Sequence, residues 1–225
     1  GYVDIAFGGD QGGSIRLPAA WCGAVGLMAT HGLIPHTGVF GLDPTVDYVG
    51  PLARTVEDIA MVLECVAGPD GYDQRQVNLP PQLPKYTEAL TLGVDGLRIG
   101  ILSEGFGFEG SEPDVEEIVL EAIAALERAG ARVQKVSVPL HDKAALAILP
   151  LYLEGGKRLF DTNLGGAFAK TYYPTSLITT FGRFRQSHSH ELPLNIKLNL
   201  VAAAYLERLY HGRLYAKAHN VRPTF

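Results

Sequence analysis

Chemistry is most concentrated near the start of the chain, in GGDQGGSIRLPAAWCGAVGL, which begins at Gly8. Glycines on both sides of a single serine leave backbone bare enough for a ligand to touch, and successive N–H groups in such a loop can form an anion-binding nest. Two familiar loops are excluded. A Walker-type phosphate loop needs Lys directly before the Ser or Thr, where Gly13 stands, and a GxSxG nucleophile elbow around Ser14 needs Gly where Arg16 stands. What remains is a nucleophile, Ser14, presented with oxyanion donors from the N–H groups of Gln11, Gly12, Gly13 and Ser14 itself, the pairing that acyl transfer requires. The blander alternative is a structural glycine turn capped by Ser14. Asp10 and Arg16 flank the serine with opposite charges. Bracing of the loop is preferred for this pair over direct contact with a substrate.

Other constellations compete for attention. His31 and His36, with Asp43 or Asp47 to orient one of them, could form a conventional Ser-His relay. SHSHE spaces His188 and His190 as a pair, but two ligands do not make a zinc site, and no metal is expected. Gly105, Gly107 and Gly110 spell GxGxxG between a strand and a helix. Glu104, Glu109, Glu112 and Asp114 crowd the place a pyrophosphate would occupy, so the glycines read as a flexible connection and no cofactor is expected. Cys22 follows the serine loop at a position read as buried packing.

The elements that must position these groups are visible in the pattern. TVEDIAMVLECVAG opens with a Thr55 cap, has Asp58 three residues on and stops at Gly68-Pro69, so it is read as a short amphipathic helix. A Pro-rich connector, DQRQVNLPPQLPKYTEAL, suits wrapping a surface. LRIGIL reads as a strand. SEPDVEEIVLEAIAALERAG reads as a helix whose inner face holds Val115, Ile118, Val119, Ala122, Leu126 and Ala129, ended by Gly130. ARVQKVSVPL reads as the next strand, and the β-α-β succession argues for an α/β layer architecture. From 141 onward the pattern is helical, broken by Gly pairs at 155–156 and 165–166. The organisation expected is a signature core over 1–68, a connector with β-α-β over 69–140 and a helical part over 141–225.

Composition narrows the classes. The 225 residues are 47% hydrophobic and 19% charged, which excludes intrinsic disorder, and the net charge of −5 leaves no basic excess for neutralising phosphates. No nucleic-acid partner is expected. The two cysteines, Cys22 and Cys65, point to a reducing compartment. No run reaches the length needed to span a bilayer. The opening at Gly1 and the close at NVRPTF both read as cuts in a longer chain.

GGDQGGSIRLPA resembles the DxGGSxRxPA segment of the amidase signature family. The likeness continues through WCG, THGLIPHTG and the run from Asp47 to Asp58, and GLRIGIL, EGFG, SEPDV and GRLYAKAHN are similar to bacterial amidases associated with nitrile hydratases. Met28-Ala29 departs from the Lys-Pro of many relatives. The resemblance implies an amidase signature fold, with a central mixed β-sheet covered by helices on both faces, incomplete here at both ends. It implies a Ser-cisSer-Lys triad in which Ser14 is the nucleophile and Gln11, Gly12, Gly13 and Ser14 form the oxyanion hole. The bridging serine and the lysine lie upstream in the family and have no match in this chain. Lys85, Lys135, Lys143, Lys157, Lys170, Lys197 and Lys217 all come later and are read as solvated. The implied activity is cytoplasmic hydrolysis of small-molecule carboxamides, without cofactor, membrane or nucleic acid, in an enzyme that could be a homodimer. Alternatives are a glutamine-hydrolysing subunit of a tRNA-dependent amidotransferase, or a non-catalytic or dinucleotide-binding module.

Overall fold

The computed structural model describes residues 2–165 and 171–225, so Gly166 and Lys170 lie outside the described residues. The chain divides into two compact units, one of residues 1–87 with 147–223, the other of residues 88–146 with 224–225.

The first unit opens with strand β1 (Ile5–Asp10) and helix α1 (Arg16–Trp21), followed by β2 (Val25–Gly26) and β3 (Tyr48–Ala53). These strands form an antiparallel sheet in the order β1-β3-β2, with Gly8 opposite Gly50 and Asp10 opposite Tyr48. Ile15, fully buried, sits where all three strands carry a glycine. A Cβ on Gly8 would lie 3.3 Å from the Ile15 side chain, one on Gly26 2.9 Å from the Ile15 carbonyl, and one on Gly50 3.0 Å from Ile15 Cδ1. The sheet glycines therefore form a socket for the residue that follows Ser14.

Helix α2 (Val56–Val66) begins as expected: Thr55 Oγ1 accepts from the Asp58 amide at 3.1 Å. Its Leu63 packs with Ala29, Ile34 and Val49 in one core cluster. The connector lies against this unit, with Gln76 Nε2 donating to the carbonyls of Gly32 and Gly68. Short helix α3 (Tyr86–Ala89) follows.

The second unit contains β4 (Arg98–Leu102), α4 (Pro113–Arg128) and β5 (Arg132–Val136), with β4 and β5 parallel. The α/β class and the β-α-β succession are as expected. The expected inner face of α4 is not: Val115, Ile118 and Val119 are exposed, and the half-buried positions Glu116, Ile123 and Ala124 lie on an adjoining stripe. Periodicity marks a helix, while tertiary contact decides which side is covered. At the GxGxxG connection the Gly107 amide donates to Glu116 at 2.8 Å, and Glu104 accepts from Ser137 and Val138, so acidic side chains already occupy donors there.

Helix α5 (Ala144–Pro150) runs into a π-helical turn, Leu151–Gly155, and then into α6 (Gly156–Asp161). Gly155 and Gly156 thus continue a helix instead of breaking it. Gly155 is required by close approach, since a Cβ there would collide with the Asp43 carboxylate. Helices α7 (Thr175–Ser187), α8 (Leu194–Tyr210) and α9 (Arg213–Val221) complete the first unit. A second core cluster joins Val46, Leu151 and Ala218. Among the described residues no helix is long and apolar enough to cross a membrane.

Candidate active site

Strand β1 ends on Asp10, whose side chain is fully buried, and the serine loop is built around its carboxylate. Asp10 accepts from the Gly13 amide at 2.7 Å, the Ile15 amide at 3.2 Å, and Arg16 Nε and Nη2 at 3.0 and 3.1 Å. Burial by itself would raise its pKa, but the hydrogen bonds from Arg16, Gly13 and Ile15 prevail and hold it below the usual carboxylate range. The two amides flanking Ser14 in sequence are thereby pinned, while Ser14 itself is exposed. Of the four amides expected to face an oxyanion, that of Gly13 is engaged by Asp10. Those of Gln11, Gly12 and Ser14 are not among the partners of that carboxylate.

A second buried carboxylate holds the loop from the other side. Gln11 Nε2 donates to Asp47 Oδ1 at 2.8 Å, and the Leu42 amide donates to the same oxygen at 2.9 Å. Burial raises the Asp47 pKa against these hydrogen bonds. This link joins the serine loop to the 38–47 loop, and sequence reasoning misses it, since it treats Asp47 only as a partner for histidine.

The histidines are engaged elsewhere. His31 Nε2 lies 3.3 Å from the Pro44 carbonyl oxygen, and its ring meets Tyr48 edge-on. His36 donates its backbone N–H to Asp73 at 2.8 Å, and burial, aided by Arg75, lowers its ring pKa to about 4, so it is neutral near pH 7. Asp43 accepts from Thr45 and from Tyr215 Oη, and Asp47 from Gln11 and Leu42, so the orienting carboxylates of a Ser-His relay are committed to other donors. His188 and His190 stack with each other and, through His188, on Phe184. Cys22 is exposed, contrary to expectation, because it caps the end of short α1 at the surface. Lys157 is also not the solvated side chain expected, since it pairs with Asp161 and with Glu207.

The amidase family model matches residues 1–224. The chain is 37% identical to the enantioselective amidase of Rhodococcus rhodochrous over 98% of its own length and 42% of that protein's. It is 36% identical to a glutamyl-tRNA(Gln) amidotransferase subunit of Geobacillus kaustophilus, covering 99% of the chain and 45% of the relative. It therefore spans less than half the length of these curated relatives. The fold is similar to that of the native peptide amidase from Stenotrophomonas maltophilia, with TM-score 0.61 at 30% identity over 85% of this chain and 39% of that one.

Proposed function

This chain belongs to the amidase family, and from that premise we propose that it carries the nucleophile of a serine amidase that hydrolyses linear carboxamides to acid and ammonia. Ser14 Oγ attacks the amide carbonyl carbon, and the developing oxyanion takes hydrogen bonds from the amides of Gln11, Gly12 and Ser14. Gly13, its N–H held by Asp10, shapes the turn. The serine proton passes to the departing nitrogen, the C–N bond breaks, ammonia leaves, and water then cleaves the acyl ester. The lysine and cis-serine that relay this proton in the family resemblance have no match in residues 1–225, so the chain alone is proposed to be inactive. Placement beside nitrile hydratases, a cytoplasmic location, a homodimeric assembly, and the absence of nucleic-acid or membrane partners belong to the same proposal.

The observation that carries the reading is the pinning of Gly13 and Ile15 by the buried Asp10, which leaves Ser14 exposed between two fixed neighbours. The test is labelling with a serine-directed fluorophosphonate in the enzyme that carries this chain. Ser14→Ala is expected to abolish both labelling and ammonia release, and labelling that persists in the variant rejects the assignment.

A second reading, glutamine hydrolysis in support of a tRNA-dependent transfer, draws on the identity to the Geobacillus protein. Ammonia release from glutamine, compared with that from apolar amides, separates the two. Binding in a nucleotide titration would instead favour a dinucleotide module.

A further inference from the structure

We propose that a small polar cavity in the first unit binds an α-amino acid of glycine size as the zwitterion, with Arg158 taking its carboxylate and Asp43 its ammonium. The cavity has a volume of about 110 Å³, and Asp43, Thr45, Gly155, Arg158 and Tyr215 are on its wall. None of residues 8–16 lines it, so the site asks nothing of Ser14.

Arg158 lies in α6, just after the π-helical turn, and its guanidinium carbon sits 4.7 Å from the centre of the Tyr215 ring. Stacking fixes the plane of the fork without using its N–H edges. Among the described residues the guanidinium donates no hydrogen bond and forms no ion pair, although it is near enough to Glu154 to pull that pKa down. A planar donor held in place and lacking an acceptor suits a carboxylate, which it can take in two parallel N–H···O bonds.

The opposite charge is on the same wall. Asp43 is 2% exposed and accepts from the Thr45 amide at 2.9 Å, from Thr45 Oγ1 at 2.8 Å and from Tyr215 Oη at 2.8 Å. These donors are all neutral, and among the described residues no cation pairs with this carboxylate, Arg158 included. A simple anion on Arg158 would have Asp43 and Glu154 near it uncompensated, and a simple cation at Asp43 would have Arg158. A ligand that carries both charges answers both walls and leaves no desolvated charge alone. Size narrows the class further: an apolar cavity of ~150 Å³ holds the six heavy atoms of benzene, so about 110 Å³ holds roughly five. Glycine fits that limit and leucine exceeds it.

The test is calorimetric titration of the full enzyme carrying this chain with glycine, acetate, ethylamine and leucine. Glycine is expected to bind about tenfold or more tightly than each of the other three, a comparison that needs no variant. Arg158→Gln should weaken glycine by about tenfold or more, and Arg158→Lys, which keeps the charge and loses the fork, should recover only part of it. Thermal melts of both variants establish that they are folded. No heat from glycine, acetate or leucine binding as tightly as glycine, or glycine binding that ignores Arg158→Gln in a folded enzyme overturns the proposal.

Discussion

The side-chain amide of Gln11 and the buried carboxylate of Asp47, 36 residues apart in sequence, meet at 2.8 Å. Because the Leu42 amide donates to the same oxygen, one carboxylate sets the position of the serine loop relative to the loop at residues 38–47. Asp10 does the same within the serine loop. Two buried acidic groups thus orient backbone that carries the proposed chemistry.

Asp47→Ala strands the Gln11 and Leu42 donors, at a cost of about 1–3 kcal/mol. Turnover by the enzyme carrying this chain should fall more than stability alone accounts for, because the loop loses its reference point. Urea unfolding and ammonia release check this, and a variant with unchanged stability and turnover would contradict the bridge.

The socket around Ile15 predicts an order among glycines. Gly50→Ala meets the Leu27 carbonyl and Gly26→Ala the Ile15 carbonyl, both backbone, so each should cost about 1–3 kcal/mol. Gly12→Ala has nothing within 4 Å of the added carbon and should fold normally. Thermal unfolding of the three variants reads the order directly, and equal destabilisation would dismiss the socket.

Asp10 and Arg16 form an asymmetric pair, with side chains 0% and 52% exposed. Removing the arginine leaves Asp10 its two backbone donors and should cost about 1 kcal/mol, as for a pair open to water. Asp10→Ala instead leaves the Gly13 and Ile15 amides unpaired and should cost about 3 kcal/mol. Chemical denaturation of both variants checks the ratio, and an Arg16→Ala loss as large as that of Asp10→Ala would refute it.

Some of this is legible in the sequence and some is not, for a common reason. Thr55 with Asp58, and the strand–helix–strand run ended by Gly130, announce themselves within a few residues, because caps and turns are local events. Ser14 and its glycines stand out in the same way. The Gln11–Asp47 bond has no spacing rule, and Gly155 looks like a helix breaker until Asp43, distant in sequence, is seen to press against it. Cys22 misleads because six-residue α1 ends at the surface, and Lys157 because its partner Glu207 belongs to another helix.

Acid should act through Asp73 and His36. The Asp73 pKa falls to about 2 because hydrogen bonds from Arg75 and from the His36 and Arg75 amides outweigh burial, so its stabilisation is present above pH 3.8 and is lost as pH drops towards 2. His36, lowered from 6.5 to about 4, is buried neutral, so its contribution is full above 6.5 and fades between 6.5 and 4. Stability measured against pH should therefore decline in two stages. His36→Gln should flatten the upper stage and Asp73→Asn the lower. An unchanged profile in both variants would discard the assignment.

Glu154 should respond in the opposite sense. It is fully buried, and burial together with Glu207 raises its pKa against the pull of Arg158 and of the Tyr215 backbone N–H. Its contribution is full below the usual 4.5 and is lost as pH rises through the folded value. Glu154→Gln should gain stability over the native chain at pH 8 and none at pH 4, as read by thermal melts. A gain of the same size at both values would exclude ionisation as the cause.

The π-helical turn at Leu151–Gly155 acts as a phase shifter. A turn wound with one residue more than an α-helical turn sets everything downstream back by roughly 100° of azimuth relative to an unbroken α-helix. Side chains of α6 therefore project where the angular offset sends them, with Phe160 and Lys157 lining an apolar cavity beside Phe181 and Ile196. Deleting a single residue from the turn would leave composition and helicity almost untouched, yet it would swing that entire segment round its own axis and aim different side chains at the same space.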